Sequence, residues 1–295
     1  MKHEKWEKLI EKFFGYAGAI SPKNADKISD FLGNILFRID RKHRNIAKAN
    51  LQRAFGNEKT SDEINALAQN VFIRLIRIIF DIGWYVRVNV NELHRYFRIN
   101  GAEHLTSAYN RKQGVLVLTA HLGNWELLAV LAPLLNLKAN ILYRPMDFAP
   151  LDRYFVRSRT RFGTNLIPTA HSMRKILNAL KNGELVAMLM DQNVDWYEGV
   201  FADFFGEPAC TNKGLALIAM KAGCPVVPVF MSHDENGFIA EIMPEIPLIR
   251  TGDKIKDVEE NTRQYNHAIE TIIRKYPDQW FWVHQRWKTK AFCNI

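Results

Sequence analysis

The chain has 295 residues, with 40 lysines and arginines against 31 aspartates and glutamates, which gives a net charge of +9 at pH 7. Because 47% of the residues are hydrophobic and 24% are charged, the composition excludes a disordered or fibrous protein. The basic excess indicates an anionic partner and is compatible with nucleic acid, an acidic protein or a phosphorylated lipid. Three cysteines without a Cys-x-x-Cys pair disfavour a disulfide framework and a structural zinc site.

The first ninety residues predict helices. Apolar residues recur at helical spacing over residues 6–14, 28–36 and 64–79, and lysines surround the first of these runs. An aromatic face with a lysine border is typical of a helix that lies in a membrane interface, but also of an amphipathic helix packed on the protein's own core. Residues 38–53 are basic and predict a helix with a solvated face. Charges up to Lys12 argue against a signal peptide.

From about residue 95 the pattern changes to alternating strands and helices. Apolar runs predict strands over residues 114–120, 139–143, 185–190, 226–231 and 238–242, and amphipathic segments between and after them predict helices. We therefore expect an α/β fold with a mixed central sheet flanked by helices. Residues 1–90 are predicted to form a helical membrane-attachment region packed on this body, and residues 91–295 the α/β catalytic domain. The most apolar segment, residues 114–135, contains three polar side chains that are costly in a bilayer, so no membrane span is predicted.

The residues best placed for chemistry follow the first buried strand. His121 comes directly after it, where ligands bind in α/β sheets, and Gly123 and Asn124 suit a tight turn into the next helix. Glu126 in that helix could reach back to the imidazole, so the pair predicts a general base oriented by a carboxylate. A polar pair in the core is the other interpretation. No serine or cysteine lies beside the pair, which favours a substrate hydroxyl as nucleophile.

The segment from His121 to Glu126 resembles the HxxxxD/E box of the glycerolipid acyltransferase superfamily. Five further stretches resemble the late acyltransferases of lipid A biosynthesis, which transfer lauroyl or myristoyl chains: residues 44–55, 143–145, 157–163, 191–211 and 280–288. The resemblance covers most of the chain. It departs from many members of that branch at the N-terminus, where amphipathic helices stand in place of a membrane-spanning segment.

This resemblance implies an acyltransferase of lipopolysaccharide biosynthesis at the cytoplasmic face of the bacterial inner membrane, attached peripherally. The donor would be acyl carrier protein, or less often acyl-CoA, carrying the chain as a phosphopantetheine thioester. The acceptor would be a hydroxyl of an anionic glycolipid, namely on a 3-hydroxyacyl chain of a lipid A precursor. Direct transfer by a His121/Glu126 dyad needs no bound cofactor or metal, and none is expected.

The resemblance also suggests roles for other side chains. Arg144, Arg159 and Arg161 would bind the acceptor phosphates, and Asp191 would hold an arginine or bind sugar hydroxyls in the same cleft. Backbone N–H groups near Gly123 and Asn124 are candidate oxyanion donors. A further group could line the acyl pocket or simply pack: Phe204, Phe205 and Gly206. Acidic carrier protein could dock on residues 38–53 or on Arg286 and Lys288.

Two rival interpretations remain open at this point. Within the same class, the acceptor could be another glycolipid or a phospholipid, because the acyl box is shared across the superfamily. From a different class, the chain could be a non-catalytic basic protein that binds membrane or nucleic acid. That reading leaves the placement of His121 and Glu126 unexplained, and no nucleic-acid-binding motif occurs in the sequence, so no nucleic-acid partner is expected.

Overall fold

A computed structural model describes residues 2–291. In this part of the chain nine strands are numbered in order: β1 (Phe97–Asn100), β2 (Val115–Thr119), β3 (Ala139–Tyr143), β4 (Asn165–Pro168), β5 (Leu185–Leu189), β6 (Gly199–Phe204), β7 (Glu207–Asn212), β8 (Val226–Asp234) and β9 (Gly237–Ile242). Seven of them form one sheet in the order β1-β9-β8-β2-β5-β3-β4, while β6 and β7 form a separate hairpin. Only β8 and β9 pair antiparallel within the seven-stranded sheet.

Helices cover the sheet and form the N-terminal region. They are α1 (Lys2–Ala17), α2 (Pro22–Ile39), α3 (Arg41–Phe55), α4 (Ser61–Tyr85), α5 (Ala102–Asn110), α6 (Leu131–Leu134), α7 (Ala149–Thr160), α8 (Met173–Lys181), α9 (Gly214–Ala222) and α10 (Lys254–Lys275). Two 3₁₀ helices span Val90–Arg95 and Trp125–Val130. The predicted fold class, a mixed sheet flanked by helices with a helical N-terminal region, is confirmed.

Local sequence explains where the N-terminal helices begin and how closely they pack. Thr60 caps α4 and shares a reciprocal capping box with Glu63, and the Asp40 side chain caps α3, which divides the single helix expected over residues 38–53. Helices α1 and α4 touch where Gly18 meets Gly83, since a Cβ atom at Gly18 would lie 2.0 Å from the Gly83 carbonyl oxygen.

The core is continuous across the predicted domain boundary. One hydrophobic cluster joins Leu51 and Phe72 of the N-terminal helices to Leu116 and Phe230 of the sheet. The N-terminal helices therefore pack on the α/β body, whereas the exact division at residue 90 stays a prediction. Within residues 2–291, none of the helices has both the length and the apolar character needed to cross a bilayer.

Candidate active site

A cavity of about 970 Å³ opens at the carboxyl ends of β2, β3 and β5. Its walls are mainly apolar, and its polar lining includes His121, Glu126, Arg144 and Arg159. This is the edge of a parallel sheet at which strand ends and the following loops build ligand sites. The size is within the range of small-molecule pockets in proteins.

His121 stands at this cavity two residues beyond β2, with 16% of its side chain exposed. Its ring Nδ1 lies 2.8 Å from Oδ1 of Asp191. The imidazole also packs against the rings of Trp125 and Phe281. Because the carboxylate accepts a hydrogen bond from Nδ1–H, Nε2 is left with its lone pair, as a general base requires. Burial by itself would lower the pKa of His121, but attraction to Asp191 and their hydrogen bond raise the pKa above its ordinary value.

Asp191 lies two residues beyond β5 and is fully buried. Besides the His121 ring, it accepts the His121 backbone N–H at 2.9 Å and the indole Nε1–H of Trp280 at 2.7 Å. Burial opposes the charge of this carboxylate, but attraction to His121 and the hydrogen bonds that it accepts outweigh burial and hold its pKa well below the usual range. Asp191 is therefore an ionised anchor that fixes both the backbone and the ring of His121.

Glu126 does not contact the His121 ring as the sequence suggested. It accepts two hydrogen bonds from Arg159, from Nε and from Nη2, each at 2.7 Å. The guanidinium is further held by the rings of Tyr143 and Phe155, and both members of the ion pair are about seven-eighths buried at the cavity wall. Burial works to lower the pKa of Arg159, but the hydrogen bonds to Glu126 raise it above the ordinary value. A bidentate pair of this kind fixes the geometry of both side chains.

Comparison with known proteins now adds to this geometry. The model of the bacterial lipid A biosynthesis acyltransferase family matches residues 9–289, which is nearly the whole chain. The chain belongs to that family. This confirms the resemblance seen in the motifs. The members of the family are acyltransferases of lipid A biosynthesis.

The relatives are distant but cover most of the chain. A lipid A biosynthesis acyltransferase of Haemophilus influenzae is 24% identical over 98% of this chain and 90% of its own length. The lipid A biosynthesis palmitoleoyltransferase of Escherichia coli is 26% identical over 85% of this chain and 80% of its own. The lipid A biosynthesis lauroyltransferase of Escherichia coli is 23% identical over 88% and 83%, respectively.

The three arginines expected to bind phosphate differ in exposure and in hydrogen-bond partners in this acyltransferase. Arg144 is 80% exposed at the cavity mouth, with Asp147 3.7 Å away, so it is accessible to an anion. Arg159 is buried against Glu126. Arg161 lies outside the cavity lining and donates to the carbonyl oxygens of Tyr85 and Val88, because the C-terminal end of α4 leaves these acceptors unsatisfied.

The loop after His121 is held by packing rather than open to a ligand. Gly123 has φ of 56°, and a Cβ atom there would lie 2.3 Å from the Met231 carbonyl oxygen. Its N–H donates to the Gln279 carbonyl at 2.8 Å, so this amide is not a free oxyanion donor as was expected. The Asn124 side chain is buried, and its Nδ2 lies 3.5 Å from the carbonyl oxygen of Ile78 in α4.

The expected acyl-pocket residues belong to the core. Phe204 ends β6, and Phe205 and Gly206 form the turn to β7 with φ of 57° and 78°. The Phe204 ring packs on Trp280 and Trp287, and neither phenylalanine lines the cavity. Of the two interpretations of this segment, acyl pocket or core packing, the structure therefore supports core packing for the two phenylalanines.

Arg286 and Lys288 of the C-terminal segment were expected as a docking place for acidic carrier protein. Arg286 is fully buried, donates to the Cys210 carbonyl and the Thr211 hydroxyl, and so cannot receive a carrier protein. Lys288 is exposed.

Among residues 2–291, no group of three or more His, Cys, Asp and Glu side chains is arranged to hold a metal ion.

Two functional contacts were missed in the sequence, namely the bonds of Asp191 to His121 and to Trp280. The first depends on the order of the strands in the sheet: in the parallel pairing of β2 and β5, Thr119 lies opposite Leu189. The same register continued by two residues brings His121 opposite Asp191. The second contact comes from a residue 89 positions later in the chain and had no local signal.

Proposed function

We propose that this acyltransferase moves a fatty acyl chain from a phosphopantetheine thioester, carried by acyl carrier protein or coenzyme A, to a hydroxyl of a lipid A precursor. The observation that carries the proposal is His121, held through Nδ1 by a buried carboxylate, at the polar end of a mainly apolar cavity. The carboxylate that orients the base is Asp191, and this replaces the His121/Glu126 dyad that the motif suggested.

The chemistry requires no covalent acyl-enzyme. Nε2 of His121 takes the proton of the acceptor hydroxyl as its oxygen attacks the thioester carbonyl carbon. The tetrahedral intermediate then collapses, the C–S bond breaks, and the imidazolium returns the proton to the leaving thiolate. Asp191 stabilises the imidazolium between these steps, and the side chains that touch the His121 ring, namely Asp191, Trp125 and Phe281, include no serine, threonine or cysteine.

The exposed Arg144 and the buried ion pair suit different parts of the substrates. Arg144 at the mouth can bind a phosphate of the acceptor, because a guanidinium donates two parallel hydrogen bonds to such a group. Arg159, fixed by Glu126 beside His121, supplies positive charge where the thioester oxygen becomes negative. A hydroxyl on a 3-hydroxyacyl chain of the precursor is the acceptor that we propose, as the motif resemblance to the late acyltransferases of lipid A biosynthesis implies.

The test is an acyl-transfer assay with purified protein, a lipid A precursor, and both acyl carrier protein and coenzyme A donors. Wild type is expected to add one acyl chain to the precursor, and His121→Ala to lose at least about 10³-fold in rate, since general-base assistance and positioning are both removed. His267→Ala changes an exposed histidine on α10 and serves as the matched control. Full transfer by His121→Ala would overturn the mechanism, and tight oligonucleotide binding without any transfer would favour the scaffold alternative.

We also propose peripheral attachment to the cytoplasmic face of the inner membrane through α1 and α2. Eight large apolar side chains are exposed on these helices: Trp6, Leu9, Phe13, Tyr16, Phe31, Leu32, Ile35 and Ile39. Exposed lysines accompany them on α1, which suits an anionic lipid surface. The Trp6 ring contacts Phe148, close to the cavity mouth, so a lipid surface on α1 would lie near the entry for lipid substrates.

Vesicle flotation tests this attachment. Trp6→Ser and Phe13→Ser are expected together to weaken binding to phosphatidylglycerol-containing vesicles by at least about tenfold, because two aromatic side chains no longer enter the interface. Ile255→Ser removes a similarly exposed apolar side chain from α10 and should leave binding unchanged. Point changes are preferable to deletion of α1, because Phe14 on the other face is buried against Tyr154. Unchanged flotation of the double variant would contradict the assignment.

A further inference from the structure

Two segments that are far apart in the chain carry positive charge without any acidic residue. Helix α3 contains neither aspartate nor glutamate, and its lysines and arginines are Arg41, Lys42, Arg44, Lys48 and Arg53. Residues 279–291 also lack acidic residues and contain Arg286, Lys288 and Lys290. The aspartates that precede the two segments are already paired, Asp40 with His43 and Asp278 with Arg74.

The two segments pack on each other. Asn50 of α3 is buried, and its Nδ2 donates to the backbone carbonyl oxygens of Trp282 and His284, at 2.8 and 2.7 Å. One turn later in α3, the Arg53 guanidinium lies over the Trp287 ring, with Cζ 5.3 Å from the ring centroid. Helix α3 and residues 279–291 therefore form one surface.

Thr289 places this surface at the rim of the cavity. Its N–H donates to the Asn193 side chain, which in turn donates to the Thr289 hydroxyl, each at 3.0 Å. The hydroxyl also donates to the Val194 carbonyl oxygen at 2.9 Å. Asn193 and Val194 line the cavity. Thr289 is thus held to the cavity rim, while its neighbours Lys288 and Lys290 are exposed.

The exposed part of this surface is cationic rather than apolar. Arg53, Lys288 and Lys290 are exposed, and we name these three residues the basic rim. In the described part of the chain, none of the exposed large apolar side chains lies on α3 or within residues 279–291. The basic rim therefore attracts a negatively charged partner but has nothing to insert into hydrocarbon, in contrast to α1 and α2.

The loop beyond Val194 adds exposed aromatic surface and negative charge next to the basic rim. Trp196 and Tyr197 are 60% and 58% exposed, and aromatic side chains are enriched in protein–protein interfaces. Asp195 and Glu198 are exposed as well. An acidic partner is repelled by these two residues, so its negative charge is directed to the basic rim.

We propose that the basic rim docks the acidic carrier protein that presents the phosphopantetheine thioester, an inference that rests on the proposed function. Cations spread over two packed segments, with aromatic side chains beside them, suit a protein surface better than a free anion. A prosthetic group extending from the docked protein enters the cavity past Asn193. The sequence suggested residues 38–53 and the C-terminal pair as separate docking places, whereas the structure joins them into one and excludes the buried Arg286.

Charge reversal in the basic rim separates docking from the chemistry of transfer. The triple variant Arg53→Glu, Lys288→Glu and Lys290→Glu is expected to raise KM for an acyl-carrier-protein donor at least about tenfold, because attraction becomes repulsion. Both kcat and KM for the same acyl chain on coenzyme A should stay within about threefold, since this donor lacks the acidic protein; such transfer also shows that the variant is folded. The matched control reverses three exposed lysines elsewhere: Lys181→Glu, Lys221→Glu and Lys254→Glu.

Direct binding tests the basic rim independently of transfer. Fluorescence anisotropy with dye-labelled carrier protein, bearing its phosphopantetheine group, is expected to show binding by wild type and by the control variant. The triple variant should bind at least about tenfold more weakly. Added salt should weaken binding by wild type much more than binding by the triple variant, because it screens exposed charges.

The outcomes separate the two proposals. Carrier-protein binding that only the triple variant loses, without transfer to any acceptor, supports the basic rim and contradicts the proposed function. An unchanged KM for carrier-protein donors, an equal rise of KM for both donors, or no binding of carrier protein by wild type overturns the basic rim. Loss of vesicle flotation in the triple variant, with carrier-protein binding intact, also overturns it and assigns these cations to a lipid surface.

Discussion

Replacement of Asp191 by asparagine is the sharpest perturbation of the proposed site. The substitution keeps the shape of the side chain but exchanges one acceptor oxygen for an NH₂ donor. In wild type, one carboxylate oxygen accepts the His121 ring proton, and the other accepts both the His121 backbone N–H and the Trp280 indole N–H. A side-chain amide has one acceptor oxygen and one NH₂ donor. Its oxygen can therefore accept either from the ring Nδ1–H of His121 or from the other two N–H groups, but not from both sides.

Either orientation of the new amide has a cost. If NH₂ faces Trp280 and the His121 backbone, two buried donors lose their acceptor, at about 1–3 kcal/mol for each. If NH₂ instead faces Nδ1 of His121, the ring proton moves to Nε2, which then cannot accept a proton from the substrate. The corresponding change in a His–Asp pair costs about 10⁴ in rate, so we expect Asp191→Asn to lose 10³ to 10⁴-fold in kcat, or about 4–5.5 kcal/mol.

Single-turnover acyl transfer, followed across pH, measures this loss. Without the carboxylate, the largest contributions that oppose burial are lost and the pKa of His121 falls, so the pH at which the rate levels off should shift downward. Asp147→Asn, at an exposed aspartate of the cavity mouth, is the matched control, and circular dichroism verifies folding. The reasoning is refuted if Asp191→Asn stays within tenfold of wild type while Glu126→Gln loses more than 10³-fold.

Three other changes test the surrounding contacts. Glu126→Gln is expected to slow transfer about 10 to 100-fold by loosening Arg159, and combining it with Arg159→Gln should add little in a double-mutant cycle; full additivity would show that the two act separately. Trp280→Phe removes one hydrogen bond to the Asp191 carboxylate and leaves more negative charge facing the imidazolium, so the pH–rate inflection should rise by up to about one unit, and an inflection that falls would contradict that role. Burial raises the pKa of Asp81 to about 6 despite its ion pair with an arginine, so the folded state holds this proton more tightly than the unfolded chain, and stability falls as pH rises from about 4 to 6. Asp81→Asn should lack this slope when urea unfolding is measured between about pH 4 and 6, whereas an unchanged slope in the variant would contradict the assignment.

Much of the fold could be predicted because the strands that position the site are continuous apolar runs. The strand predicted over residues 139–143 agrees with β3, and those over 114–120 and 185–190 agree with β2 and β5 within one residue at each end. His121 could be placed at a strand end for the same reason. The short strands β1 and β4 were missed, since four residues are too few for an alternation to stand out, and the six-residue strands of the β6–β7 hairpin were missed as well.

The partner of His121 could not be predicted because it depends on strand order. β5 lies between β2 and β3 in the sheet, although it follows both in the chain. Periodicity predicts strands but not which of them are neighbours, so the nearest carboxylate in sequence, Glu126, was assigned to a ring that Asp191 binds. The segment beginning at Trp125 likewise predicted one helix, whereas it forms a 3₁₀ helix followed by the short α6.

The central claim is that the fatty acyl chain passes directly from the donor thioester to the acceptor hydroxyl, with His121 as the base. Rapid mixing of the protein with a carbonyl-labelled acyl-carrier-protein donor and a lipid A precursor, followed by acid quenching and intact-mass analysis, tests it most directly. The account predicts that label disappears from the donor and appears in the precursor at the same rate, with no labelled protein at any time and little transfer by His121→Ala. Label bound to the protein before it reaches the precursor, or undiminished transfer by His121→Ala, would contradict it.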